Sequence, residues 1–116
     1  MDGLSMEILR SRLMLARSTH NHGDEMTALA DIAHRLSQNG EFEDAVSMLQ
    51  QSLDIARELN DEVGLIVAHW GLADIAHLQE DQEEEVLQLS QVVAAHLMAG
   101  LNLPKGLKER LEDLIG

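Results

Sequence analysis

Leu29-Ala30-Asp31-Ile32-Ala33-His34 returns unchanged as Leu72-Ala73-Asp74-Ile75-Ala76-His77, and the 43 residues between the copies decide how the chain is read. That interval is too long for a heptad or a turn motif and matches the length of a supersecondary repeat. A second echo lies outside it, because Leu9, Leu13, Leu15, Ala16 and Arg17 match Leu49, Leu53, Ile55, Ala56 and Arg57 at a spacing of 40. The recurring unit is therefore a pair of helices with a connector of variable length.

Working outward, Leu29, Ile32, Ala33 and Leu36 stand at i, i+3, i+4 and i+7, the spacing of a helix buried along one face. That helix is expected to start at Asp24 as N-cap, with Glu25 against the dipole, and to end at Asn39-Gly40. Upstream, a first helix over about Ser5 to Thr19 carries Ile8, Leu9, Leu13 and Ala16, widened by Leu15, with Arg10, Arg12 and Arg17 towards water. Downstream, Phe42 opens a third helix through Ala45, Val46, Leu49, Leu53, Ala56 and Leu59. Asn60-Asp61 closes it and caps a fourth, which carries Trp70 and the second copy of the phrase. A fifth runs from near Gln82 to near Ala99 with Val86, Leu89, Val93 and Leu97 as its stripe, and Gly100 stops it. Pro104 suits the first turn of a last helix, where its missing N–H is harmless. There Leu107, Leu111 and Leu114 face inward beside Leu103 and Ile115, while Lys105, Lys108, Glu109, Arg110, Glu112 and Asp113 cover the outside. A short helix of that kind closes the open end of a helical stack.

Composition agrees with an all-α domain spanning 1–116. Phe42 and Trp70 are the only aromatics, so leucine, alanine, valine, isoleucine and methionine fill the interior, a palette for helix packed on helix. At 116 residues the chain has the length of one domain and is long enough to bury about two-thirds of its unfolded surface.

The net charge of −13 is concentrated between Leu36 and Pro104, which hold thirteen acids against Arg57 alone. Nucleic acid and anionic membrane surfaces are disfavoured partners, because both are bound through lysine and arginine. No cysteine is present, which removes disulfides, thiolate chemistry and the best zinc ligand. The N-terminal Met1-Asp2-Gly3-Leu4-Ser5-Met6-Glu7 has acids where a secretory signal has bases, and no stretch approaches the roughly 20 apolar residues of a spanning helix. A soluble, cytoplasmic protein is expected.

On these residues the chain resembles the tetratricopeptide repeat family, in the variety with repeats somewhat over forty residues. The carriers are Leu29, Ile32, Ala33, Leu36, Gly40, Phe42, Ala45, Leu49 and Leu53, with Gly40-Glu41-Phe42-Glu43-Asp44-Ala45 as the inter-helix turn. The second repeat is weaker. Leu72, Ile75 and Ala76 match, but Gln79 stands for Leu36, the turn is the acidic Glu80-Asp81-Gln82-Glu83-Glu84-Glu85, and the small residue falls near Glu85 or Val86. The resemblance implies a short right-handed solenoid of about six helices in antiparallel hairpins. It divides into a leading half-repeat over 5–20, full repeats over 24–60 and 62–99, and a capping helix over 103–115.

The same resemblance implies a non-enzymatic adaptor that binds a partner protein in a concave groove lined by the first helix of each pair. Thr27, Ala30, Asp31, His34 and Ser37 fall on that groove in one repeat, and Trp70, Ala73, Asp74, His77 and Glu80 in the next. Asp31 and Asp74 stand where members that clamp a terminal carboxylate have asparagine. The groove is then acidic, and a basic or amphipathic segment is the expected partner, with both aspartates exposed. Trp70 suits either a groove anchor or a core filler.

Two other readings stay open. Asp31/His34 and Asp74/His77 are i, i+3 pairs that a divalent metal could bridge, as could His20-Asn21-His22-Gly23-Asp24. Duplication and an ordinary polar connector account for both, and neither metal nor cofactor is expected. Self-assembly is the second, since Leu4, Met6, Leu13, Met14 and Leu15 are apolar for a free end and suggest a homodimer through the first helix. Catalysis has no support in the sequence: there is no glycine-rich phosphate loop, and Ser37, Ser47 and Ser52 lie on or beside helices.

Overall fold

The computed structural model describes residues 2–116, with side chains from Met6 onward. Six helices follow one another: α1 (Asp2–Ser18), α2 (His22–Gln38), α3 (Phe42–Leu59), α4 (Glu62–Leu78), α5 (Gln82–Met98) and α6 (Lys105–Ile115). No strand occurs among the described residues. Each helix packs on the next, the α2/α3 and α4/α5 pairs most closely, and α2 also touches α4 across α3. The result is a stack of antiparallel hairpins in which α2 and α4 share one side.

The turns set the period. His20, Gly40, Asn60, Glu80 and Gly100 all take positive φ, between 52° and 78°, and they recur every 20 residues. The residue after each donates its backbone N–H back five positions: Asn21 to Ala16, Glu41 to Leu36, Asp61 to Ala56, Asp81 to Ala76 and Leu101 to His96, all at 2.8–2.9 Å. These left-handed stops satisfy carbonyls that the ending helix leaves free. In the first four turns the same residue then opens the next helix, whereas α6 starts only after Pro104. Asn21, Asp61 and Asp81 accept from the backbone N–H three positions on, while Glu41 makes no such bond. Asn21, rather than Asp24, is thus the N-cap of α2, and Asp24 supplies the donor.

A 20-residue helix step makes the helical pair 40 residues long, so the 43-residue interval between the two copies of the phrase is not the structural repeat. Burial confirms the shorter register: Ala28, Leu29, Ile32, Ala33 and Leu36 are buried, and so are Ala68, His69, Leu72, Ala73 and Ala76 at 40 residues further. The second copy sits about one helical turn late.

Two clusters form the core. The larger joins α1 to α4 through Leu13, Leu29, Ile32, Leu36, Leu49, Leu53 and Leu72. The smaller joins α4, α5 and α6 through Ala73, Leu89, Val92 and Leu107, with Trp70, Leu103 and Leu111 against it. In α5 the inward stripe is Glu85, Leu89, Val92, Ala95 and His96; Leu97 faces outward, as do Leu59 and Ile115. Close approach of α4 to its neighbours depends on Gly64, where a Cβ would stand 2.6 Å from Met26 Sδ and 3.0 Å from Ala56 Cβ.

Candidate functional site

The contact between α2 and α4 leaves a cleft of about 410 Å³ on their shared side. Ala30, Asp31, His34 and Ser37 line it from α2, and Ile66, Val67, Trp70, Gly71 and Asp74 from α4, over Leu49 of α3. This volume falls within the roughly 300–1,000 Å³ typical of binding clefts. Its floor is apolar, and Gly71 contributes bare backbone against the Leu49 side chain.

The cleft continues in both directions. Asp31 also lines a cavity of about 500 Å³ between α1 and α2, with Arg12, Leu15, Thr19, Asp24 and Thr27. Asp74 also lines one of about 490 Å³ between α4, α5 and α6, with His77, Glu85 and Arg110. One concave track therefore crosses the molecule, apolar in the middle and charged at each end.

Of the ten positions predicted from sequence, Ala30, Asp31, His34, Ser37, Trp70 and Asp74 meet in the central cleft. Thr27 and His77 lie in the cavities to either side. Ala73 is fully buried in the smaller core cluster and presents nothing to the track. Glu80 occupies the left-handed turn after α4, outside it. Val67, Ile66 and Gly71 were not anticipated. Val67 and Gly71 follow from the 40-residue register, which pairs Thr27 with Val67, Ala30 with Trp70, Asp31 with Gly71 and His34 with Asp74, where the 43-residue register paired the two aspartates; Ile66, the counterpart of Met26, does not.

Trp70 serves two surfaces at once. One side lines the cleft, and the other packs into the smaller core cluster and meets the buried His96 ring edge-on, with centroids 6.2 Å apart at 67°. Cleft wall and core filler are thus one side chain.

Electrostatics divide the two aspartates. Asp31 is exposed and makes no side-chain hydrogen bond or ion pair among the described residues. Asp74 is bound: Arg110 of α6 donates from Nη1 to Asp74 Oδ1 at 2.8 Å and from Nε to Glu85 Oε2 at 2.8 Å. Glu85, only 3% exposed, also faces His77 Nδ1 at 3.1 Å through its other oxygen. Burial alone would lower the Arg110 pKa, but the hydrogen bonds and charges of Asp74 and Glu85 outweigh it and hold it above the ordinary guanidinium value. Arg110, expected on the outer face of the last helix, instead pins α6 to α4 and α5. Glu85 takes the position of Ala45 one repeat earlier, and its pairing explains how a carboxylate replaces a small residue there.

Neither Asp/His pair assembles further. Asp74 and His77 turn to Arg110 and Glu85, and among the described residues no group of three or more His, Asp or Glu side chains is arranged to hold a metal ion. No helix of the described residues is long and apolar enough to cross a membrane. On the first helix, Leu13 is buried and Met6 packs against the core, so its outward apolar residues are Ile8, Met14 and Leu15; Leu4 lies outside the described side chains.

Comparison with known proteins adds one finding. The tetratricopeptide repeat family model matches residues 24–97, from the start of α2 to the end of α5. Neither the curated proteins nor the solved structures supply a match.

Proposed function

The chain belongs to the tetratricopeptide repeat family, and from that premise we propose that it is a protein-recognition module whose α2/α4 cleft takes a segment of a partner protein. The observation that carries this reading is the half-buried Trp70 beside Ile66, Val67 and Leu49 in a cleft rimmed by Asp31, His34 and Asp74, since tryptophan is enriched among the residues that anchor interfaces. The partner segment is amphipathic. An apolar side chain sits on Trp70, Val67 and Ile66, and a basic group reaches Asp31, with Asp24 beyond it.

The basic preference rests on Asp31 and Asp24 and no longer on Asp74, which Arg110 already neutralises. A charge at an exposed rim acts mainly on association rate, and salt screens it over about 8 Å at physiological ionic strength.

Trp70 is the only tryptophan, so its emission reports occupancy of the cleft directly. Peptides selected from a displayed random library on the native chain are expected to be amphipathic and basic and to shift that emission. Val67→Glu, at an exposed cleft position, should weaken their binding at least about tenfold, a change of about 1.4 kcal/mol. Asp31→Asn should slow association and flatten its salt dependence. Selected peptides that leave Trp70 emission unchanged and bind the Val67→Glu variant equally well would place recognition elsewhere.

A further inference from the structure

Two aspartates line the α2/α4 cleft, and only one of them is open. Asp31 makes no side-chain hydrogen bond or ion pair among the described residues, whereas Asp74 is held from α6 by Arg110. Asp31 lies towards the α1/α2 cavity and Asp74 towards the α4/α5/α6 cavity. A segment laid along the track passes both carboxylates and finds the second already taken.

The hold on that second carboxylate is uneven. Arg110 donates from Nε to Glu85 Oε2 and from Nη1 to Asp74 Oδ1, each at 2.8 Å, yet Glu85 is 3% exposed and Asp74 59%. A buried carboxylate is costly to leave without its cation, so Glu85 fixes the guanidinium in place. An exposed pair adds little, because water solvates both groups when they part, so Nη1 can give up Asp74 while Nε stays on Glu85. α6 need not move: Leu107 holds it in the smaller core cluster, and Gln82 Nε2 donates to the Leu114 carbonyl at 2.7 Å. Nor does the repeat require the contact, since the same places 40 residues earlier are His34 and Ala45.

On the reading that the α2/α4 cleft is the recognition site, we infer that the Arg110–Asp74 pair is an autoinhibitory contact, in which Arg110 stands where a basic side chain of the partner binds. The partner segment then carries two basic positions, one on each side of its apolar anchor. Such a segment displaces Nη1 and gains Asp74 as well as Asp31. A segment whose basic group lies on the Asp31 side alone leaves the contact closed.

Removing the internal competitor tests it. Glu85→Ala combined with Arg110→Ala deletes one charge of each sign, so the net charge of −13 is unchanged while Asp74 is uncovered. The probe is a peptide selected on the native chain and synthesised with lysine on each side of its apolar anchor, titrated against Trp70 emission. It should bind the double variant about threefold more tightly or better, and adding Asp74→Asn should remove the gain. Arg110→Lys keeps a cation opposite Glu85 without the two-pronged fork, so it too should bind the probe more tightly than the native chain, and it stands in if the double variant loses its helical circular dichroism. Native-like affinity in the folded variants overturns the inference, as does a gain that Asp74→Asn leaves in place. Peptides that bind without any change in Trp70 emission defeat the cleft reading and this contact with it, whereas equal emission shifts and equal affinities in native and variant chains defeat the autoinhibitory contact alone.

Discussion

Glu85 is the residue on which the carboxyl-terminal half turns, because a carboxylate 3% exposed is stable there only while Arg110 faces it. Arg110→Ala leaves that charge with His77 alone and should destabilise the fold by about 3 kcal/mol. Glu85→Ala restores the residue found at the same place one repeat earlier, so adding it to Arg110→Ala should recover much of the loss. Urea denaturation of the two single variants and the double variant checks this; additive losses would contradict the pairing. Since the folded-state pKa of Arg110 is raised, its contribution is present throughout neutral pH and lost only as strong alkali passes that value. The two aspartates separate by the same measurement. Asp31→Asn should leave stability unchanged, while Asp74→Asn, which loses an ion pair at an exposed site, should lower it by about 1 kcal/mol or less. None of this was visible locally, because Arg110 lies 25 residues beyond Glu85 and a side-chain pairing across helices leaves no periodic trace.

At the scale of elements, most of the architecture was legible. Apolar spacing located all six helices, and Asn39-Gly40, Asn60-Asp61 and Gly100 marked their ends, because capping chemistry is local. The repeat length was misread for an equally physical reason. Six identical letters gave 43 residues, yet a helix position is defined by which way it points, and Leu29 and His69 point alike although they share no chemistry. The weaker echo at 40 carried the true register, and the left-handed turns confirm it. One of those turns holds Glu80 with φ 58°, where the preceding repeat has Gly40 at 78°. A side chain in that region is strained by roughly 1–2 kcal/mol, partly offset by the entropy that glycine adds to the unfolded chain. Glu80→Gly should therefore stabilise by about 0.5–1 kcal/mol, and Gly40→Ala should destabilise, both read from thermal melts. A loss of stability in Glu80→Gly would count against the left-handed stop.

Over the whole molecule, the stack of α2 and α4 turns a repeat of small and aliphatic residues into a track with an aromatic centre, an acidic rim at Asp31 and a charge cluster at α6. Half of that site was readable, because α2 and α4 could be recognised as the inner helices. Val67 and Gly71 were hidden by the mistaken register, and Ala73 was placed on the surface by it. The central claim is that this track is where another protein is recognised. Amide hydrogen exchange on the chain with and without a selected basic amphipathic peptide tests that claim most directly. The account predicts added protection over Ala30–Ser37 of α2 and Ile66–Asp74 of α4, with the outer faces of α3 and α5 unchanged; protection confined to α3 or α5 would contradict it.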